Sequence, residues 1–142
     1  MKIKIKRIDD SLPLPEYHTN GSVAFDLYSR IDGVIPAGKC EMFPCNFIIE
    51  TPEGYMLMIA ARSSLGKKKG LKLTNGIGVI DQDYCGENDE LNLFLHNFTD
   101  QDVKIEKGER MAQGIFVKID KAEWDVVEKM NDKSRGGWGS TG

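Results

Sequence analysis

The side chains best suited to chemistry crowd into Asn75 to Glu87, which reads Asn-Gly-Ile-Gly-Val-Ile-Asp-Gln-Asp-Tyr-Cys-Gly-Glu. Asp81 and Asp83 bring two carboxylates to the phenol of Tyr84, and an aspartate, ionised at neutral pH, can orient a water and take its proton. Gly76 and Gly78 let backbone approach a ligand closely, while Val79 and Ile80 supply strand character before a turn at Gly86. From residue types alone the stretch is a hairpin that walls a pocket, or an ordinary solvated one.

A second concentration follows the apolar run Tyr55 to Ala61. Arg62, Ser63 and Ser64 set a guanidinium fork and two hydroxyls beside exposed backbone amides, groups that hold phosphate oxygens. The continuation Leu65-Gly66-Lys67-Lys68-Lys69-Gly70 lacks the spacing of a P-loop, and lysine runs are also the composition of a solvated basic loop. The segment becomes a phosphate site only if acids and a nucleotide pocket lie near it. The third concentration is the tail from Asn131 to Gly142, which is glycine-rich but holds Trp138 with Arg135, Ser140 and Thr141. That mixture suits a flexible segment that folds over a nucleotide, or a plain terminus.

Isolated candidates are weaker. Asp26 lies between Phe25 and Leu27, so strand alternation turns it to the opposite face, and its plain reading is solvent exposure. Gln113 interrupts the apolar run Met111 to Val117 and needs a partner, either backbone or ligand. His18 and His96 are the only histidines, which excludes a histidine-rich metal centre and leaves a serine–histidine relay few candidates. His96 shares a strand face with Asn92 and Phe94 and reads as structural.

The elements that must position these groups read as short strands. Lys2 to Ile8 alternates basic residues with isoleucine, the pattern of an edge strand. Val23 to Ser29, Cys40 to Thr51 with a break at Pro44, Tyr55 to Ala61, Glu90 to Asn97 with Leu91, Leu93 and Leu95 on one face, Val103 to Ile105 and Met111 to Val117 follow in turn. Between them lie Pro13 and Pro15, Thr19-Asn20-Gly21-Ser22, Gly33 to Gly38, Pro52-Glu53-Gly54 and Lys107-Gly108-Glu109-Arg110, all turn or loop chemistry. Ala122 to Met130 fits a strand or a short helical turn. With almost no helical periodicity, the expected class is all-β, a sandwich or barrel. A chain of 142 residues holds one domain with a core, here expected over 1–130, followed by the tail 131–142.

Composition narrows the function classes. A charged fraction of 29% with a net charge of only −3 is unlike the basic footprint of a nucleic-acid polymer binder. No apolar run is long enough for a membrane span and no signal peptide opens the chain, so a cytoplasmic protein with no membrane partner is expected. Cys40, Cys45 and Cys85 are odd in number and unpaired by spacing, against a disulfide framework and against structural zinc.

In this order and spacing, Ala24 to Ser29, Arg62 to Gly70, Asn75 to Glu87, Gly108 to Phe116 and Arg135 to Gly142 resemble the motifs of the trimeric dUTP pyrophosphatase (dUTPase) family. The resemblance covers most of the chain from Ala24 onward. It implies a distorted jelly-roll-like β-barrel, assembled as a homotrimer whose active sites draw residues from all three subunits. It also implies hydrolysis of dUTP to dUMP and pyrophosphate by water attack on the α-phosphorus, with Mg2+ as cofactor, keeping uracil out of DNA and supplying dUMP for thymidylate synthesis.

By the same resemblance Asp81 is the base that activates the water, Gln113 sits near the α-phosphate, and Asp26 and Arg110 belong to the network around phosphate and metal-bound water. No side chain ligates the metal directly; it is held mainly by the triphosphate, with Asp26 reaching it through water. Arg62, Ser63 and Ser64 bind phosphate. Tyr84 stacks beneath the deoxyribose, and Asn75 with the backbone of Gly78, Val79 and Ile80 reads uracil. In the tail, Trp138 with Gly139 and Ser140 covers the base. The γ-phosphate cation is Lys133 or Arg135, of which the planar fork of Arg135 is the better clamp.

The tail departs from the family pattern of arginine-glycine, one variable residue and two glycines, since Lys133, Ser134 and Arg135 precede Gly136, and two further positions depart as well. Cys85 stands where a basic or polar residue is common, and Ala24-Phe25-Asp26 lacks a frequent glycine. The competing readings are a dCTP deaminase-like enzyme of the same fold and a dUTP-binding regulatory protein. A zinc cytidine-deaminase reading fails for want of the cysteine pair and histidine.

Overall fold

Apolar residues alternating with polar ones, cut every few positions by Pro, Gly or Asn, favour short strands over helices. A computed structural model of the protein describes residues 1–130 together with 133, 134, 136, 137 and 139. Among these run β1 (Ile5–Arg7), β2 (Phe25–Tyr28), β3 (Gly33–Ile35), β4 (Cys40–Pro44), β5 (Phe47–Ile49) and β6 (Tyr55–Ala61). The helix α1 (Leu65–Lys69) follows, then β7 (Leu71–Leu73), β8 (Ile77–Ile80), β9 (Asn92–Asn97), β10 (Val103–Ile105) and β11 (Arg110–Lys118). The fold is all-β, as expected.

All pairings are antiparallel. They group as β2-β11-β6-β8, β4-β9-β7, and the two-stranded pairs β1-β5 and β10-β3. The four-stranded sheet carries Phe25 and Leu27 of β2, Leu57 and Ile59 of β6 and Met111 of β11 into a core shared with Phe43 of β4 and Leu93 and Leu95 of β9. Each such side chain, fully buried, contributes about 1.5–3 kcal/mol of transfer free energy. Leu91, Leu93 and Leu95 are buried while Asn92 and Phe94 between them are exposed, so the alternation seen in the sequence sets this face. Close packing also fixes Gly114 on β11, where a Cβ would come within 2.5 Å of the Phe25 ring.

Four local expectations are corrected. The Gly33 to Gly38 segment is not only a separator, since it contains β3, which pairs with β10 through Val34 and Lys104. The lysine run is not a loop but α1, anchored by buried Leu65 and ended by Gly70 in the left-handed conformation (φ 64°). Asn75 to Glu87 is not a hairpin, because β8 pairs with β6, and β7 pairs with β9 in the other sheet. Residues 122–130 form neither strand nor helical turn, and Trp124 and Val126 stand in solvent.

The break at Pro44 is built more firmly than the sequence suggests. Asn46, fully buried, adopts φ 74°, a conformation that costs an L-residue unless hydrogen bonds hold it. Its Oδ1 accepts the Asp9 N–H at 2.6 Å and its Nδ2 donates to the Asp9 carbonyl at 3.0 Å. Its own N–H donates to Glu90 Oε1 at 2.8 Å, and Arg30 grips both oxygens of the same carboxylate at 2.8 and 2.9 Å. That carboxylate pushes the Arg30 pKa above its ordinary value, chiefly through the hydrogen bond.

Candidate active site

The register of the four-stranded sheet places the first cluster. Asp26 of β2 lies opposite Gln113 of β11, which in turn lies opposite Ala60 of β6. Directly opposed residues share a face, so Asp26 and Gln113 lie side by side. The expected solvent exposure of Asp26 is overturned, for it is only 6% exposed. A buried carboxylate needs charge partners, and it has them: Oδ1 receives Arg62 Nε at 3.0 Å, while Oδ2 receives Arg110 Nη1 at 3.2 Å and His18 Nε2 at 2.8 Å. Arg62 emerges where β6 ends and Arg110 where β11 begins, beyond a bulge between Arg110 and Ala112. Antiparallel pairing brings these two ends together.

Asp26 occupies only one nitrogen of each guanidinium. Among the described residues, both Nη atoms of Arg62 and the second Nη of Arg110 have no protein partner. They adjoin an open cavity of ≈ 380 Å3 whose lining also includes Tyr28, Ser64 and Lys68. Ser64 stands at the helix N-cap without spending its hydroxyl on a cap bond, and Ser63 is exposed beside it. Burial, and after it the charge of Asp26, raises the Tyr28 pKa, so its phenol remains a hydrogen-bond donor. Donors of this kind, partly desolvated and convergent, suit a polyanion. Gln113 Nε2 donates to the Ala61 carbonyl at 3.2 Å, which answers the question of its partner in favour of backbone and leaves its Oε1 available.

The second cluster lies on β8, the edge strand beside β6. Asn75 opens it from an exposed turn in which its carbonyl accepts the Ile77 N–H at 2.9 Å and Gly76 takes φ 74°. At Gly78 the glycine serves packing too, since a Cβ would sit 3.1 Å from Ile59 Cβ in the core. The outward row of β8 N–H and C=O groups pairs with no other strand among the described residues, and Val79 is exposed. Asp81 follows Ile80 with an exposed side chain that makes no hydrogen bond or ion pair among the described residues. Tyr84, 40% exposed, donates its hydroxyl to the Glu90 carbonyl at 3.3 Å, and so leans on the corner held by Arg30 and Asn46. Cys85 is half-buried with its thiol against the Gln82 carbonyl.

The two clusters are apart. Leu57 pairs with Ile80 and the strands run antiparallel, so Asp81 falls level with Met56, and Arg62 lies six residues further along β6. At about 3.3 Å per residue that is about 20 Å, more than the two side chains together can span. Arg62, Arg110, Asp26, Gln113, Ser63 and Ser64 are brought together; Asp81 and Tyr84 are not brought to them within one chain.

In the tail, Gly139 is exposed with φ 91° and Gly136 has φ 80°. Lys133 is exposed. Arg135, Trp138 and Ser140 lie outside the described residues. His18 is the member of the site that sequence reasoning missed. A single histidine in a proline- and turn-rich segment carries no periodic signal, and only the fold reveals its distance to Asp26.

No helix among the described residues is long and apolar enough to cross a membrane. A family model described as dUTPase matches residues 10–142. The chain is 38% identical over its whole length to the deoxyuridine 5'-triphosphate nucleotidohydrolases of Dictyoglomus turgidum and Anaplasma marginale, spanning 99% of each. Among solved structures it is similar to a Streptococcus mutans dUTPase, at 31% identity and a TM-score of 0.77 over 84% of this chain and 98% of that one. The fold also matches the Staphylococcus bacteriophage 80alpha dUTPase with dUPNHPP, at a TM-score of 0.87 and 23% identity over 99% of this chain and 98% of that one.

Proposed function

The chain belongs to the dUTPase family and hydrolyses dUTP, and on that premise we propose how its residues divide the work. The observation that carries the proposal is the buried Asp26 carboxylate, which aligns Arg62 and Arg110 so that their remaining N–H groups border one cavity. With Ser63 and Ser64 these form the triphosphate site. The unpaired edge of β8 from Gly78 to Ile80, with Asn75, reads uracil, because an edge strand presents donors and acceptors at fixed spacing. Tyr84 supports the deoxyribose and leaves no room for a 2′-hydroxyl.

Asp81 takes a proton from the water that attacks the α-phosphorus. The new P–O bond forms as the bond to the α,β-bridging oxygen breaks, giving dUMP and pyrophosphate. Arg62 and Arg110 stabilise charge on the phosphate oxygens, and Gln113 orients the water or an α-phosphate oxygen. The reaction removes dUTP before it enters DNA and supplies dUMP for thymidylate synthesis.

Mg2+ is the proposed cofactor, and the residues fit an ion that arrives on the triphosphate. Both oxygens of Asp26 already accept from Arg62, Arg110 and His18, so Asp26 would meet a hydrated ion through water. When bound, the ion neutralises phosphate charge.

Because about 20 Å separates Asp81 from Arg62 along paired strands, a complete site requires more than one copy of the chain. We assign the assembly as a homotrimer. Residues 1–130 are then the barrel unit and 131–142 a lid, in which Trp138 with Gly139 and Ser140 covers uracil and Arg135, or Lys133, clamps the γ-phosphate.

Incubating the protein and Mg2+ with single nucleotides tests the activity. dUTP is expected to yield dUMP and pyrophosphate at least about a hundredfold faster than dCTP, dTTP or UTP are consumed, since mismatched buried polar groups are strongly rejected. A uridine nucleotide formed from dCTP would instead identify a deaminase. Deleting Lys133 to Gly142 is expected to lower kcat/KM about tenfold or more, as losing a closing lid does. The thermal midpoint should hold, because Lys133, Ser134, Gly136, Gly137 and Gly139 are all exposed. Undiminished turnover would remove the lid from the mechanism.

A further inference from the structure

We propose that His18 is a positioning residue of the phosphate site, donating from Nε2 to Asp26 Oδ2 and thereby fixing which edges of Arg62 and Arg110 face the triphosphate. The inference rests on the dUTP-hydrolysis reading and concerns how its anion clamp is held.

The geometry is specific. Nε2 lies 2.8 Å from Asp26 Oδ2 and 3.2 Å from Arg110 Nη1, which itself lies 3.2 Å from the same Oδ2. An ionised carboxylate only accepts and a guanidinium only donates. If Nε2 carried no hydrogen, two acceptors would face each other at 2.8 Å. A hydrogen on Nε2 instead makes Oδ2 the shared acceptor of both His18 and Arg110. The Arg110–His18 approach is then a consequence of their common anchor and not a hydrogen bond.

The chain also holds His18 in place from both sides. Tyr17 packs edge-on against Phe25, with ring centroids 5.7 Å apart and planes at 76°. On the other side the Ser22 N–H donates to the Thr19 carbonyl at 3.0 Å, and the Thr19 N–H to Ser22 Oγ at 3.1 Å. The imidazole therefore approaches Asp26 from a braced segment, although its side chain is 47% exposed.

The consequence for catalysis follows from the division of the carboxylate. Arg62 holds Oδ1, and without His18 only Arg110 would hold Oδ2. Arg110 also lines the phosphate cavity. A carboxylate anchored by a third donor outside the substrate path keeps its plane when Arg110 engages the ligand, so neither arginine must be reoriented on binding.

The test compares His18→Leu and His18→Gln in the full chain. Gln offers an amide N–H near the position of Nε2, whereas Leu fills similar space without a donor. For His18→Leu, KM for dUTP is expected to rise about tenfold, the size of one hydrogen bond to a charged group, with kcat changed less than about threefold. Inorganic pyrophosphate should weaken as a competitive inhibitor by a similar factor. His18→Gln should recover both to within about threefold of the wild type, and the thermal midpoints of all three proteins should agree.

Wild-type KM in the Leu variant, or a Gln variant as impaired as Leu, would overturn the proposal. So would a loss of activity that tracks a lowered thermal midpoint. The wild-type protein in the same assay separates the two levels of inference: if it releases no pyrophosphate from dUTP, the underlying activity has failed and not the role of His18.

Discussion

Asp81→Asn is expected to lower dUTP turnover by about a thousandfold, within the range that a general base contributes, while nucleotide affinity stays within about threefold of the wild type. The two halves of this expectation have separate causes. Asparagine keeps the size of the side chain and can still accept a hydrogen bond from the attacking water, but it cannot take the proton. The fold should not respond, because the exposed Asp81 side chain makes no hydrogen bond or ion pair among the described residues. Its backbone carbonyl accepts the Tyr84 N–H at 3.4 Å, and the substitution leaves that bond intact. Single-turnover pyrophosphate release, paired with titration of an α,β-imido analogue of dUTP, measures the two quantities independently. Full turnover in the variant would remove Asp81 as the base. Lost analogue binding would make it a binding residue instead.

That residue types alone draw attention to Asp81, while Asp26 enters only through the family resemblance, has a physical reason. Asp81 sits among glycines, a second acid and a tyrosine within ten residues, so its chemistry is advertised locally. The proposed role of Asp26 depends on its burial, and alternation along β2 tells which face it occupies but not whether that face is covered. The partners Arg62 and Arg110 lie 36 and 84 positions away, and His18 is tied in by a segment with no periodicity. Pairing of β8 was misread for a similar reason. Asn75 and Gly76 do form a turn, as their types require, but turn chemistry does not say which strand the chain joins next. The partner of β8 is β6, on the far side of α1 and β7. The helix itself has only Leu65 as a buried anchor, too short a span for helical periodicity to register. By contrast Leu93 and Leu95 on β9, with Leu91 just before it, were legible because a half-buried strand writes its faces into a period of two, and β6 because a short apolar run bounded by turn residues has the length of a strand.

The proposed sharing of the site, which the family resemblance implies and the β6–β8 register supports, yields the second large effect. Asp81→Asn and Arg62→Gln should each be nearly inactive as pure proteins, the first lacking the base and the second the guanidinium fork. Gln is chosen at position 62 because its amide can still donate to Asp26, so the buried carboxylate is not left without that partner. If the two proteins are unfolded together in equal amounts and refolded, copies assemble at random. A site that takes position 81 from one copy and position 62 from another is intact when the first copy is the Arg62→Gln protein and the second the Asp81→Asn protein. That combination arises in about one site in four for any closed symmetric assembly with sites between copies. Activity should therefore return to about a quarter of the wild-type value, more than a hundredfold above either parent if each loses what removal of a catalytic base or phosphate clamp costs. If instead Asp81 and Arg62 met within one chain, every chain in the mixture would carry a defect and no site could be repaired. A mixture whose activity equals the average of its two parents, with co-assembly verified by differently tagged copies, would require the β6–β8 register to be wrong or the site to lie elsewhere.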